Sequence, residues 1–240
     1  MSTAGPVMII GGSSGIGLAI ARRCLADGTC VVIAGRSQER LDVASAELSQ
    51  PGRVTAIAAD IGDRSQLTEL FDRAGPLAHL VITAADLPYG PVATLTEDQM
   101  MRAVRSKVTG PLLAAQQAAR RITGPGSITF TSGVAAYRPA AGGALAAIVN
   151  GALESMVRAL ALELAPVRVN AISPGWVDTP VWDRLATPAA KQARLTEMAA
   201  RLPAKRIGRP SDIANAVAFL IGDDFVTGTV LHAEGAQLLV

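Results

Sequence analysis

Only two cysteines occur in the 240 residues, Cys24 and Cys30. They flank an expected helix-to-strand turn and lack metal-ligand spacing. The expectation is two buried free thiols in a reducing cytosol, with neither a disulfide nor a metal site. Runs of like charge are missing as well, since acidic and basic residues interleave and the formal net charge is only +2. That balance gives no electrostatic footprint for a nucleic acid or a membrane surface, and it favours small-molecule partners. No charged leader followed by a long apolar run is seen at the start, where the apolar stretch "VMII" has the size of a strand. The expected compartment is the cytoplasm, without a membrane span. Lysine is scarce too, occurring only at positions 107, 191 and 205.

What is present is apolar and regularly spaced. Half of the residues are hydrophobic and 18% are charged, enough for one sizeable core and one domain. Short β-rich runs, "VMIIG", "CVVIAG", "VTAIAAD", "HLVITAA", "SITFTS" and "VRVNAIS", alternate with helix-period segments. The longest of these segments are expected at about 96–121 and 143–164. Strands apolar on both faces that alternate with helices call for an α/β fold, a parallel sheet between helical layers. Pro180, Pro188 and Pro203 break the rhythm between Trp176 and Lys205, which suggests a lid or substrate segment. A helix from Ser211, with Asp212 in its first turn, and a strand "TVLHAE" are expected to close the sheet.

Between the first strand and the first helix lies "GGSSGIG", Gly11 to Gly17. Glycines 11, 15 and 17 let the backbone turn tightly and approach a pyrophosphate at the helix N-terminus, where unpaired N–H groups and the helix dipole favour anions. Ser13, Ser14 and Ile16 complete that expected cradle. The second strand ends in "CVVIAGRS", so Arg36 and Ser37 stand where an NAD-binding protein would offer a carboxylate to the ribose. A guanidinium can pair with a 2′-phosphate that an Asp would repel, which favours NADP(H) over NAD(H); Arg36 as a solvated surface residue is the plainer reading.

Together with "ADI" (59–61), "LVITAA" (80–85), "RVNAISPGWVDTP" (168–180) and "RIGRPSDIANAVAFLIGDDFVTG" (206–228), this motif makes the chain resemble the short-chain dehydrogenase/reductase family over essentially its whole length. The resemblance implies a single-domain Rossmann-type doubly wound parallel sheet, a nicotinamide cofactor, a small-molecule substrate and a homodimer or homotetramer. It implies that Asp60 and Ile61 flank the adenine, that Ala84 lies along the cofactor, and that the backbone around Ile172, Pro174 and Gly175, with Val177 and Thr179, holds the nicotinamide carboxamide. The small residues Ala144, Ala147, Gly151 and Ala152 would let a neighbouring helix approach, and the apolar end "AEGAQLLV" suits a further interface.

One expected feature is missing. Most members of the family carry Tyr-x-x-x-Lys on a helix, a spacing that puts phenol and ammonium on one face so that the amine lowers the phenol's pKa. Here the lysines are preceded four residues earlier by Ala103, Thr187 and Arg201, so the motif is absent in every register. Matching the flanks puts Ala146 at the tyrosine position and Asn150 at the lysine position, where Asn150 would face the cofactor. Glu154 is the only proton-bearing side chain from Gly142 to Met156. The family's serine falls at Ser132 or Gly133. Its Asn, three residues ahead of a Gly, is replaced by Lys107 ahead of Gly110, as if Asn and Lys had exchanged walls of the site.

Lys107 is accordingly expected to point inward as an electrostatic stabiliser or proton donor, against the alternative of a surface lysine packed along its stem. Tyr137 is the best substitute phenol, Tyr89 the other, and Asp86 a weaker acid candidate; His79 and His232 are expected to be structural. Trp176, Val181 and Trp182 suggest an apolar ligand, although core packing explains them equally. Three readings stay open. The first is an NADP(H)-dependent oxidoreductase acting on a carbonyl, alcohol or imine. The second is a non-redox enzyme catalysing a cyclisation or elimination in the same pocket, and the third is a catalytically silent nucleotide-binding protein.

Overall fold

In the computed structural model, residues 5–184 and 187–240 are described. Each β-rich run forms a strand: Val7–Ile10 (β1), Val31–Gly35 (β2), Val54–Ala58 (β3), Leu77–Ile82 (β4), Ile122–Thr131 (β5), Arg168–Pro174 (β6) and Val230–Ala233 (β7). All pair in parallel in the order β3-β2-β1-β4-β5-β6-β7. The chain winds outward from β1 in one direction and from β4 in the other, so their carboxyl ends border the crevice where such sheets bind ligands. The helices are Gly15–Ala26 (α1), Gln38–Leu48 (α2), Arg64–Ala74 (α3), Glu97–Val104 (α4), Gly110–Ala119 (α5), Ala144–Glu163 (α6), Pro188–Arg201 (α7) and Pro210–Gly222 (α8).

Strand alternation sorts the core into two layers. In β1, Met8 and Ile10 pack with Phe71, Ala115 and Val157 beneath α3, α5 and α6, while Val7 and Ile9 pack with Ile20, Leu41 and Val217 beneath α1, α2 and α8. α6 is long and apolar enough to cross a membrane by length and composition. In this fold its Leu153, Val157 and Leu160 pack on the sheet, and Leu145 and Val149 meet Ala103. At the amino end of β6, Arg168 donates to the carbonyls of Leu220, Ile221 and Val226 at 2.8, 3.0 and 3.2 Å. That guanidinium caps the last turn of α8.

The helix expected over 96–121 runs without a gap from Glu97 to Ala119, but one turn inside it is wider than the rest. α4 starts on a capping box between Thr96 and Gln99, but Arg105–Thr109 forms a π-helical turn in which Gly110 N–H bonds Arg105 O. Two residues explain the wide turn. Pro111 has no N–H to offer the Lys107 carbonyl, and a Cβ on Gly110 would lie 2.6 Å from both Arg105 O and Ile61 O. The turn leaves Ser106 and Lys107 buried, and π-bulges of this kind recur at functional sites.

The proline-interrupted segment holds a 3₁₀ turn, Trp182–Arg184, and α7; residues 185 and 186 of the expected lid lie outside the described residues. Trp182 Nε1 donates to Val177 O at 2.8 Å, and Lys191 pairs with Asp178 at 3.0 Å and Asp183 at 2.9 Å. His79, in β4, shares a 2.9 Å hydrogen bond with Ser127 Oγ. Burial and then Arg168 push its ring down to about 4, so it is neutral at physiological pH and structural. His232 lies in β7, exposed, with its ring edge-on to Tyr137 at 4.9 Å.

Only half of the cysteine expectation holds. Cys24 is buried on α1, and its thiol is pushed up to about 11, chiefly by burial. Cys30 sits just before β2 and is exposed. A thiolate-directed reagent at pH 8 should therefore label one thiol per native chain within minutes and the second only on unfolding. Two equally fast thiols would contradict this arrangement.

Candidate active site

A cavity of about 820 Å³ opens at the carboxyl ends of β1, β2 and β4. Its floor is the β1–α1 turn, which has no room for side chains at two positions. A Cβ on Gly17 would lie 2.2 Å from Gly11 O, and one on Gly11 would lie 2.5 Å from Thr83 Oγ1 and 2.6 Å from Ala84 N, at a backbone φ of +99°. Ser14 caps α1 without bonding its N–H groups, and the first turn holds no acidic residue. The helix therefore presents free donors to an anion.

The residues expected to cradle the pyrophosphate, Gly11, Ser13, Ser14, Gly15, Ile16 and Gly17, all line this cavity. So do Arg36 and Ser37 beside β2, Asp60 and Ile61 after β3, Ala84 after β4, and Thr179. Asp60 Oδ1 accepts from Gly62 N at 2.8 Å, which folds the adenine-side loop back on itself. Arg36 also meets Asp86 at 3.3 Å, so Asp86 holds a guanidinium at the rim and is not placed as an acid.

Sequence reasoning missed Arg40. It stands in the first turn of α2, donates to Ser14 Oγ at 3.1 Å and lines the same cavity. Its nearness in sequence to Arg36 was the only available signal. Two guanidiniums therefore face the ribose end.

The inner end of the cavity reaches Ser106 and Thr131. Immediately behind these lie the side chains from which chemistry is expected. Lys107 is 4% exposed and donates from Nζ to Thr131 O, so it points inward as expected. Burial pulls its amine down to about 8, while Glu154 acts in the opposite direction. Ala146 contributes only a buried methyl. Asn150 Nδ2 donates to Gly133 O at 3.4 Å, whereas Asn150 Oδ1 and Thr131 Oγ1 are buried without partners. With the glycine floor and open helix terminus, the residues present fit a dinucleotide.

Of the remaining expected residues, Pro174, Gly175, Trp176 and Val177 lie off the cavity wall. A Cβ on Gly175 would lie 2.7 Å from Glu234 Cα, facing the C-terminal segment. Pro174 and Val177 are buried, and Val177 forms an isolated bridge to Gly208. Val181 lines the main cavity. Trp176 instead borders a separate hollow of about 350 Å³ with His232 and Glu234.

Ser132 and Tyr137 converge on a residue that the sequence singled out only as an isolated acid. Ser132 Oγ donates to Glu154 Oε1 at 2.6 Å, and Tyr137 OH donates to Glu154 Oε2 at 2.5 Å. Desolvation and then that carboxylate push the Tyr137 phenol up to about 12. A phenol already committed to a carboxylate is a poor proton donor at neutral pH, so the substitute-acid role expected of Tyr137 finds no support in its geometry. Tyr89 is exposed at the rim of the fold and is raised by desolvation. Among the described residues no cluster suited to a metal occurs.

Comparison with known proteins agrees with this geometry. A family model described as enoyl-(acyl carrier protein) reductase matches residues 11–235. A short-chain dehydrogenase/reductase of Stachybotrys chlorohalonatus, ATR9, is 33% identical over 97% of this chain and 96% of its own length. The solved MalC reductase/Diels-Alderase of Malbranchea aurantiaca superposes with a TM-score of 0.92 at 32% identity, covering 99% of this chain and 97% of that one. A small-chain dehydrogenase in complex with NADPH gives 0.83 at 30% identity, covering 99% and 100%.

The buried amine sets a pH dependence. Lys107 titrates near 8 when folded and at its ordinary 10.5 when unfolded. Below 8 both states are protonated and the fold bears the full cost of a desolvated charge. Between 8 and 10.5 the unfolded chain holds the extra proton, and stability rises with pH. Lys107→Met should therefore raise the melting temperature at pH 7, by on the order of 1–3 kcal/mol of stability, and the gain should shrink towards pH 10.5. A gain independent of pH would show that the lysine is not buried as a charge.

Proposed function

The chain belongs to the short-chain dehydrogenase/reductase family, and from that premise we propose that it is an NADP(H)-dependent oxidoreductase whose active site works without the usual tyrosine and lysine pair. The observation that carries this reading is the cavity at the sheet's crevice, with its glycine floor and two guanidiniums, Arg36 and Arg40. Those cations suit a 2′-phosphate in bidentate or paired geometry. Bound there, the dinucleotide would supply or accept a hydride at its nicotinamide ring.

The chain's own contribution is positioning and charge. Thr131 lines the inner end of the cavity, and Lys107 sets one cation behind it. That cation suits an oxygen that gains negative charge during carbonyl reduction. Loss of a general acid costs on the order of a hundred- to ten-thousand-fold in rate, and least for a substrate such as an iminium ion that needs no proton at the reacting centre. Val181 on the cavity wall favours a small apolar substrate.

A second reading has its own support, because the MalC relative is described as both a reductase and a Diels-Alderase. A ring closure of that class moves no proton, so a pocket without a phenol serves it equally. Product formed without cofactor oxidation would favour this reading, whereas thermal stabilisation by NADPH with no turnover of any kind would favour a silent binding protein.

We place the chain in the cytoplasm as a homodimer or homotetramer. Open space around Gly151 on α6 and the exposed Ile148, Leu162 and Leu239 support this assembly, and light scattering tests it.

The deciding measurement is calorimetry with both dinucleotides. Arg36→Ala and Arg40→Ala should each weaken NADPH about tenfold, close to 1.4 kcal/mol, with little change for NADH. Equal losses for both cofactors would remove the 2′-phosphate role, and no binding of either would end the reading. With a panel of carbonyls and imines, Lys107→Ala should lower turnover or weaken NADPH. An unaffected variant would take Lys107 out of the site.

A further inference from the structure

Glu154 on α6 is 5% exposed, and each of its oxygens is taken by a neutral hydroxyl, Ser132 on one side and Tyr137 on the other. Two neutral donors satisfy its lone pairs but leave its charge unbalanced, and an ionised carboxylate away from water is costly without a countercharge. Lys107 comes to the same place from the opposite wall. Its Nζ is bonded to the carbonyl of Thr131, the residue next to Ser132. Two buried charges of opposite sign thus bracket the end of β5, joined through Thr131 and Ser132.

We propose that Glu154 is the positioning residue of this altered site: across the end of β5, its buried carboxylate holds Lys107 as an ammonium behind Thr131, which lines the inner end of the cavity. This extends the reading of Lys107 as the working cation of the site and rests on it. Low polarity around the pair lengthens the reach of the attraction, so direct contact is not needed.

Other ionisable groups are arranged so that Glu154 faces little competition. Glu154 raises the Lys107 amine against the pull of burial. Tyr137 bonds its far oxygen, Arg158 lies one turn further along α6 and acts on that phenol, and His232 stacks on the phenol's edge. The hydroxyls also fix the carboxylate in direction, which an isolated side chain would lack.

The test needs neither cofactor nor substrate. Lysine labelled with ¹³C at Cε gives three signals, from 107, 191 and 205, and the Lys107→Met variant assigns the first. Glu154→Gln should lower the Lys107 midpoint by roughly one pH unit or more, while Tyr137→Phe, which keeps the charge, should not lower it. A Lys107 midpoint unchanged in the folded Glu154→Gln protein overturns the proposal.

If Glu154→Gln is too unstable to titrate, the double variant with Lys107→Met should melt higher than Glu154→Gln alone, because the stranded ammonium is gone. A double variant no more stable than the single one also overturns it. Should the midpoint shift as expected while calorimetry finds no nucleotide binding, the charge pair stands and the oxidoreductase reading falls. In an active enzyme, Glu154→Gln should move the high-pH limb of kcat down by the same interval as the Lys107 midpoint, and a limb that stays in place would overturn the role in positioning.

Discussion

Gly17 passes so close to the carbonyl of Gly11 that a Cβ there would sit 2.2 Å from the oxygen. That approach brings α1 back across the end of β1 immediately, with its open N-terminus over the crevice between β1 and β4. Gly110 does similar work on the opposite wall, allowing the start of α5 to press against Ile61 O. Side chains at either position would push a helix away from the sheet and widen the crevice at the point where a ligand must be gripped. The cavity follows from backbone packing before any polar side chain contributes.

That difference explains what could be read from the sequence. Strands apolar on both faces, the "GGSSGIG" turn and the placement of helices depend on periodicity and on local backbone rules, and the seven strands form at the β-rich runs. Side-chain partnerships across the fold left no such mark. Arg40 lies close to Arg36 in sequence, but its bond to Ser14 depends on how α2 lies against the β1–α1 turn. Glu154 was visible as a lone acid in an Ala-rich helix, yet its two hydroxyl partners lie 22 and 17 residues away in sequence. The π turn could be suspected from Gly110 and Pro111 only by knowing that Ile61 lies against them. Cys30 was misjudged because a residue at the mouth of a strand takes its exposure from the neighbouring loop and not from its own chemistry.

The inner site also illustrates a conflict between stability and chemistry. An apolar core at the meeting of α4, α6 and β5 would be easier to maintain than one containing an amine, a carboxylate and unpaired hydroxyl and amide oxygens. These groups sit together directly behind the inner end of the cavity, whereas the layers below, around Phe71, Phe130 and Leu80, are wholly apolar.

The tether of α7 carries a different implication. Lys191 fastens that helix to Asp178 and Asp183, both largely in water, and Asp183 belongs to the cavity wall. Exposed ion pairs weaken as dissolved salt screens them. The cavity wall on this side is thus held by contacts that respond to the surrounding medium, while the glycine floor is shaped by main-chain packing that does not. Ionic strength should therefore loosen α7 from the wall while leaving the shape of the floor unchanged.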